Sequence, residues 1–546
     1  MKYFLLVFAI ALSVSVKAQT HLVWSTPEVT PNSQVNDFKA MNTDAHGNTY
    51  VINFTQSNFN SYFTYRFFAY NNIGVKMWQY NNDSCFTNCQ DIYKYIIPVD
   101  NAGALFIGTY NDLGGNNQIR IKRIDINGNL MWQKYWQYNR LSPLYPLVCR
   151  LDNAGNLIIG FSAFGHPDFS ENFAFAKFDT IAGNELWHFE MPDQGPSGVT
   201  LDESMKDIAV DANNNIYVTA DASNPFVSIF KKYYFSLSTN GVMNYFGSTN
   251  FSSIDNSPHQ ILEGNDGAFY RLLNFNNTTV VFKQDTSGGF FQWTVNLAHD
   301  SANFKSIALS KINNELYVLS NYNYFIPDSS FAGGFNTNFH YSVTKIDTAG
   351  NMLWQKDYFS SFDSLSQQNA AGGATGFLAC NNHLYVMSDG YTDSVSLKML
   401  LHKIDTAGNT VWYYTTSTGP AGPIANDIDC NIYVSRSTQP QSGGYYYCLT
   451  QKFSEVPLSF NLLETKNSSL LLFPNPAFDQ LTIKMPSGNK QTHTLIIINT
   501  LGQKIYNSRF YGNNTSLSVN KFNKGIYFVN ICSEDGLTSK AKLLVK

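Results

Sequence analysis

The chain has 546 residues, 36 Lys and Arg against 40 Asp and Glu, a formal net charge of −4 and only 14% charged residues. That balance excludes the concentrated basic face that nucleic acid requires, and no later stretch reaches the ~18 apolar residues of a membrane helix. Aromatics at 15%, with abundant Asn, Ser, Thr and Tyr, suit an extracellular β protein.

Residues 1–18 read as a signal peptide. Lys2 supplies the positive charge, residues 4–12 a short apolar run, and 16–18 the cleavage site. Cleavage is expected between Ala18 and Gln19. The apolar run is too short for a stop-transfer helix, and no Cys follows the site to carry a lipid.

From residue 19 to 454 the chain repeats itself. One segment, apolar-Asp-x-x-Gly-Asn-x-x-Trp, is clearest at Ile346-Asp347-Thr348-Ala349-Gly350-Asn351-Met352-Leu353-Trp354 and again at 404–412. It occurs also at 124–132 and, with one extra residue, at 178–187; weaker copies end at Trp78, Tyr245 and Trp293. A second segment, Asp-x-x-Gly-Asn-x-Tyr-Val, begins at Asp44, Asp100, Asp152 and Asp211, with looser copies from Asn265, Asn313, Asn381 and Asp429. Both are hairpins: Asp opens the turn through backbone N–H groups two residues on, and Gly takes the left-handed position. The closing Trp or Tyr is a large plug between packed sheets.

Two hairpins make a four-stranded unit, and a unit recurring every ~55 residues without helices predicts a β-propeller. Eight copies favour eight blades; the degenerate copies near 241 and 266 leave seven as the alternative. Trp24 has no hairpin before it, and the last unit has no Trp strand after it. The strand around Trp24 is therefore expected to complete the last blade and remove an open edge. These repeats resemble bacterial propellers of the SBBP and quinoprotein-like kind, a resemblance of blade and not of function.

Residues 455–468 are polar and irregular and read as a linker. Residues 469–546 then carry Phe473-Pro474-Asn475-Pro476, Asn499-Thr500-Leu501-Gly502, Lys524-Gly525-Ile526-Tyr527 and a terminal stretch from Lys540 to Lys546. This order resembles the type A C-terminal sorting domain of the type IX, or Por, secretion system. The resemblance implies a small β-sandwich read by the translocon and removed by a sortase-like protease. The cargo would travel through the periplasm and be attached to the outer membrane surface or released.

The chemistry of the cargo is sparser. Seven cysteines form no evident framework; Cys85 and Cys89, close together in a polar loop, are the candidate disulfide. The Asp/Asn-rich turns at 125–129 and 211–215 look like calcium loops, but Trp136 and Ala222 stand where an EF-hand needs an acid. A looser Ca2+ site is left open; otherwise no cofactor or metal is expected, a quinone included, since no vicinal Cys pair accompanies the repeats. Asp-Thr and Asp-Ser tripeptides at Asp179, Asp347, Asp363, Asp393 and Asp405 are similar to O-glycosylation acceptors of bacteria using this secretion route. No His-Glu-x-x-His, Gly-x-Ser-x-Gly or phosphate-binding loop is present. Aromatic runs at 62–65, 322–325 and 445–447, beside Asn and Asp, suit glycan or peptide at a propeller mouth, or else pack the blades. The expectation is a binding module for glycan or protein, with an enzyme acting on polysaccharide or peptide, or a structural adhesin, as alternatives.

Overall fold

The computed structural model describes residues 21–546 except 30–32, 58–62, 82–91, 100–101, 112–116, 138–141, 165–170, 192–200, 225–227, 252–259, 276–277, 286–290, 300–301, 329–333, 360–372, 392–396, 416–420, 439–446, 455–469, 486–491, 500–503 and 534–537. Signal cleavage at Ala18 and Gln19, the Cys85 and Cys89 pair, the 455–468 linker and Gly502 lie outside the described residues. Among the described residues all regular structure is strand, and no helix is long and apolar enough to cross a membrane. The chain divides into two compact units, 1–455 and 456–546.

The first unit is a propeller of eight four-stranded antiparallel blades. Blade 1 runs Ser33–Thr43, Thr49–Ser57, Phe63–Tyr70 and Lys76–Asn81, paired in that order. Six more repeat the pattern from first strands Ile92–Val99, Ser142–Leu151, Asp202–Val210, Gln260–Glu263, Ala302–Ile312 and Ala374–Cys380. Blade 8 combines Ile424–Asn426, Ile432–Thr438 and Tyr447–Ser454 with His21–Val29, which pairs antiparallel to Tyr447–Ser454. The Trp24 strand thus closes the ring, as its position in the sequence suggested. First strands of successive blades touch one another in an unbroken circle from blade 1 through blade 8 and back. They line the axis; the fourth strands lie outermost.

Alternation of strand direction sorts the connections. At one end, first-to-second and third-to-fourth strand turns take two to six residues. At the other, connections range from two residues between Phe275 and Thr278 to fourteen (360–373) between Phe359 and Ala374. The core is a series of apolar seams between neighbouring blades. Leu105, Ile107, Ile119 and Ile121 of blade 2, for example, meet Leu157, Ile159 and Phe178 of blade 3.

The second unit is a sandwich. Leu471–Phe473, Gln480–Lys484 and Asn514–Ser518 form one sheet. Lys504–Tyr511, Thr492–Asn499, Gly525–Ser533 and Thr538–Val545 form the other. Leu481, Ile483 and Leu517 from the first sheet and Leu495, Ile497, Val529 and Leu543 from the second share one buried core.

Candidate functional site

The short-turn end is occupied by architecture. Asp125 Oδ1 accepts the N–H groups of Asn127 (2.9 Å) and Asn129 (2.8 Å), and Oδ2 accepts the Asn129 amide (3.0 Å). Asp211, Asp347 and Asp405 do the same. The Asn351 amide and backbone hold the Asp347 carboxyl below the usual carboxylate range. These oxygens already serve N–H donors, so the calcium-like spacing is the spacing of a hairpin. Among the described residues no cluster of three His, Cys, Asp or Glu could hold a metal. The last blade corrects one reading: its turn opens at Asp427, not Asp429, with Asn431 as the partner amide (2.7 Å).

The recurring Trp is a fastener between blades. In five copies its indole N–H reaches the second residue of the next blade's third-to-fourth strand turn. The pairs are Trp24 to Asn72 (3.2 Å), Trp78 to Ile126 (3.1 Å), Trp132 to Thr180 (3.3 Å), Trp187 to Thr239 (2.9 Å) and Trp293 to Thr348 (2.8 Å). The ring lies on the Gly of that turn; a Cβ on Gly74 would stand 2.6 Å from Trp24. Blade 4 carries Tyr245 in place of Trp. There the fully buried Arg271 of blade 5 donates to the Val218 carbonyl (2.7 Å) and to the Tyr245 hydroxyl (3.5 Å), both in blade 4. An open cleft of about 180 Å3 lies at this end between blades 5 and 6. Its Asp266 is already bonded by the Ala268 N–H, the Tyr270 hydroxyl and Lys283.

The axis shows a second recurring device, not singled out in the sequence. The first strands of blades 1, 2, 4, 6 and 7 carry a bulge, at Lys39, Lys94, Lys206, Ile307 and Thr375. A bulge frees the N–H beside it from the ladder. In blades 4, 6 and 7 the freed N–H of Met205, Ser306 and Ala374 goes to the previous blade's Ser162 (3.1 Å), Asn274 (2.9 Å) and Asn321 (2.8 Å). Asp389 likewise accepts from Ala421 of blade 8. The visible signal was a polar residue four places after the Tyr of Asp-x-x-Gly-Asn-x-Tyr, as in Asn274, Asn321 and Asp389. In blade 4 that place holds Asp221, which pairs with Lys232 (3.1 Å) and the bulge residue Lys206 (3.5 Å). Arg150 of blade 3 reaches Asp207 of blade 4 (3.5 Å).

One group of side chains carries acid–base character. Tyr322 is stacked between His299 (4.1 Å) and His340 (5.5 Å), and His299 Nε2 lies 3.3 Å from Asp357. Burial lowers the His340 pKa despite Asp357. Of the aromatics read as exposed, Tyr65 (5%) and Tyr322 (2%) are buried in their blades, a correction toward the packing alternative. The phenol rings fill the seams because they sit on the inward rows of second and third strands.

The structure contains one disulfide among the described residues, Cys380–Cys430, joining the turns of blades 7 and 8 with Cα atoms 5.8 Å apart. The sequence reading missed it because the two cysteines are fifty positions apart and Cys430 occupies the turn's glycine place, at φ 59°. Cys149 is free; burial pushes its thiol pKa up.

In the second unit the sorting residues cluster at the chain's end. Asn475 donates to the Lys542 carbonyl (2.7 Å) and accepts from the Leu544 N–H (2.8 Å). The Ala477 carbonyl accepts from the Lys546 N–H (3.0 Å). Gly525 pairs with Val545 and Lys540 with Asn530. Tyr527 is buried, its hydroxyl donating to Asn523 (2.7 Å). Phe473 is half exposed, and Pro474 and Pro476 flank Asn475 through cis peptides.

Residues 471–546 match the family of secretion system C-terminal sorting domains. No curated protein matches the chain. Similar solved structures include the Dos1 propeller, 8% identical with a TM-score of 0.45, covering 80% of this chain and 95% of that one. The polysaccharide lyase Uly1 is 10% identical with a TM-score of 0.39, covering 80% and 99%. The WD40 domain of SCAP from fission yeast is 9% identical with a TM-score of 0.35, covering 83% and 95%. The chain is a β-propeller protein bearing a type IX sorting tail, which directs it to the cell surface or the medium through that secretion machinery.

Proposed function

We propose that the propeller is a non-catalytic recognition module for glycan or protein, with its ligand at the axial mouth opposite the short turns. The observation that carries this reading is the asymmetry of the two ends. At the short-turn end the carboxylates cap their own hairpins and the indoles and glycines hold blades together, whereas the inner strands line the axis. Export completes the reading: cleavage behind Ala18, passage through the periplasm, and recognition of residues 469–546 by translocon and sortase-like protease. The propeller of 19–454 then stays on the outer membrane or leaves it.

A polysaccharide- or peptide-cleaving enzyme is the second reading, favoured by His299, Tyr322, His340 and Asp357. The burial of Tyr322 and His340 argues against it, since a general base must reach the proton that it removes. The test is binding of the secreted protein to a broad polysaccharide and peptide array, with product analysis of each positive well. Binding without product supports the recognition module. Product that disappears in His340→Ala replaces it with the enzyme.

A further inference from the structure

We propose that two copies of this chain pair face to face through the outer rim of the short-turn end, where exposed aliphatic side chains ring the propeller. The inference goes beyond the recognition reading and does not depend on it.

Among the described residues the propeller exposes sixteen large hydrophobics, and thirteen of them sit in one kind of place. They occupy the third-to-fourth strand turns and the first residues of the fourth strands. Leu130 and Met131 of blade 2, Val242 and Met243 of blade 4, and Met352 and Leu353 of blade 6 all lie between the turn glycine and the aromatic plug. Seven blades contribute; blade 7 has Thr410 and Val411 there instead. The most exposed of the thirteen lie in the turns themselves, Ile181 at 81% and Val242 at 65%. Ile428, outside the thirteen, is in a first-to-second strand turn at the same end. Blades splay apart toward their outer strands, so no neighbouring blade covers these starts. Scattered single hydrophobics need no explanation, but a repeated set confined to one rim marks an interaction surface.

Three features choose a second copy as the partner. The first is shape. Turns of two to six residues keep this end low, and a motif repeated blade by blade holds its apolar residues at one level. Such a ring is its own complement across a two-fold axis, and because the rim occupies only one end, pairing uses it up and closes at two. The second is charge. Acids of the first-to-second strand hairpins are paired inside their own blades, Lys177 with Asp152 (2.7 Å), Lys283 with Asp266 (2.6 Å) and Lys345 with Glu315 (2.8 Å). Two such faces approach without strong repulsion, whereas a lipid leaflet favours basic residues and free indoles, and the indoles here lie on glycines. The third is area. At ~100 Å2 apiece the thirteen residues offer ~1,300 Å2, so covering about two thirds of them supplies the ~800 Å2 per partner of a standard interface. A pair built this way leaves both long-connection mouths open, facing opposite directions.

The experiment is sedimentation velocity of the full secreted protein from about 1 to 50 µM, where mass action separates a true dimer from a monomer. Twice the monomer mass is expected at the upper concentration, falling on dilution. The dimer should persist in ~0.5 M NaCl, because burial of apolar surface is not screened by salt. Ile181→Asp with Met352→Asp should raise the dissociation constant at least about a hundredfold, since each charge enters the interface twice. Asn250→Asp, at the far end of the outer strand of blade 4, should leave it unchanged. Circular dichroism and thermal unfolding certify that the double variant is folded; Val242→Asp alone, expected at about tenfold, serves if it is not. A monomer at every concentration overturns the inference, as does a dimer that the rim variants leave intact. Cosedimentation of a monomeric protein with phosphatidylcholine vesicles, lost in the same variants, would overturn it in favour of a lipid surface.

Discussion

The Trp24 indole donates to the Asn72 carbonyl at 3.2 Å, and that one bond ties the closing strand of blade 8 to a turn of blade 1. The same residue lies against Tyr70 and Tyr433, one ring from each blade (6.2 and 6.0 Å). Trp24→Ala should therefore cost about 2–4 kcal/mol, the range of a large aromatic removed from a partly buried seam. Gly74→Val should cost a similar amount from the other side, because the turn needs a left-handed φ of 82° and space for the indole. Urea unfolding of both single variants and the pair checks this: sharing one contact, they should be markedly less than additive.

The disulfide between blades 7 and 8 closes a loop of fifty positions, for which chain entropy gives about 4 kcal/mol. Cys380→Ser should lower stability by about 2–4 kcal/mol, and reductant should lower the wild type equally without affecting the variant. Cys430→Gly should lose about 1 kcal/mol less than Cys430→Ala, because Cys430 sits in the left-handed region. Denaturant midpoints with and without dithiothreitol measure both effects.

Two buried groups give pH terms of opposite sign. Burial lowers the His402 pKa to about 4. Its Nδ1 lies 2.6 Å from the Tyr341 hydroxyl and its Nε2 2.9 Å from Thr410. The unfolded chain takes up this proton first, so stability present above pH ~6.5 is lost as pH falls toward 4, by about 3 kcal/mol. Burial raises the Asp389 pKa to about 6. Here the folded chain takes up the proton first, so stability is lost as pH rises from ~4 to 6. Asp389→Asn should stabilise the protein at pH 7 by about 1–2 kcal/mol and steepen its acid loss. His402→Gln should reverse the slope between pH 4 and 6. Thermal unfolding across pH 4–7.5 reads both.

Asn475 joins the first motif of the tail to its last strand. Asn475→Ala removes both bonds to Lys542 and Leu544 and leaves their backbone groups to water, a loss of about 1–2 kcal/mol. The expected result is less protein at the surface and in the medium, with accumulation in the periplasm. Asn475→Asp, which keeps only the acceptor, should fall between. Deletion of 469–546 should retain the chain in the periplasm entirely. Fractionation followed by immunoblotting decides each case.

Repeats of Asp, Gly and Trp made the blades legible, because a hairpin turn needs those residue types at fixed spacing. Even the closure was readable, from a Trp strand without its hairpin. Blade 4 was harder: its seam is held by Arg271 reaching across to Val218 and Tyr245, and an Arg inside an apolar strand announces no such partner. Cys430 standing in a glycine place hid both the turn at Asp427 and the disulfide. The lysine positions on the axis depend on bulges, which shift register by one residue and leave no mark on hydrophobic alternation. Tyr65 and Tyr322 show the converse error, since an aromatic run near a strand end looks the same whether its rings face solvent or a neighbouring blade.

Pairing of His21–Val29 with Tyr447–Ser454 also sets a timetable. The earliest-emerging propeller strand must wait for the latest one before either has its neighbour. Until residue 454 is available, the third strand of blade 8 and the Trp24 strand are both open edges, and joining them is among the most distant contacts that the chain makes. For an exported protein, that interval is when it is most exposed to mispairing, and a holding chaperone would have its target there.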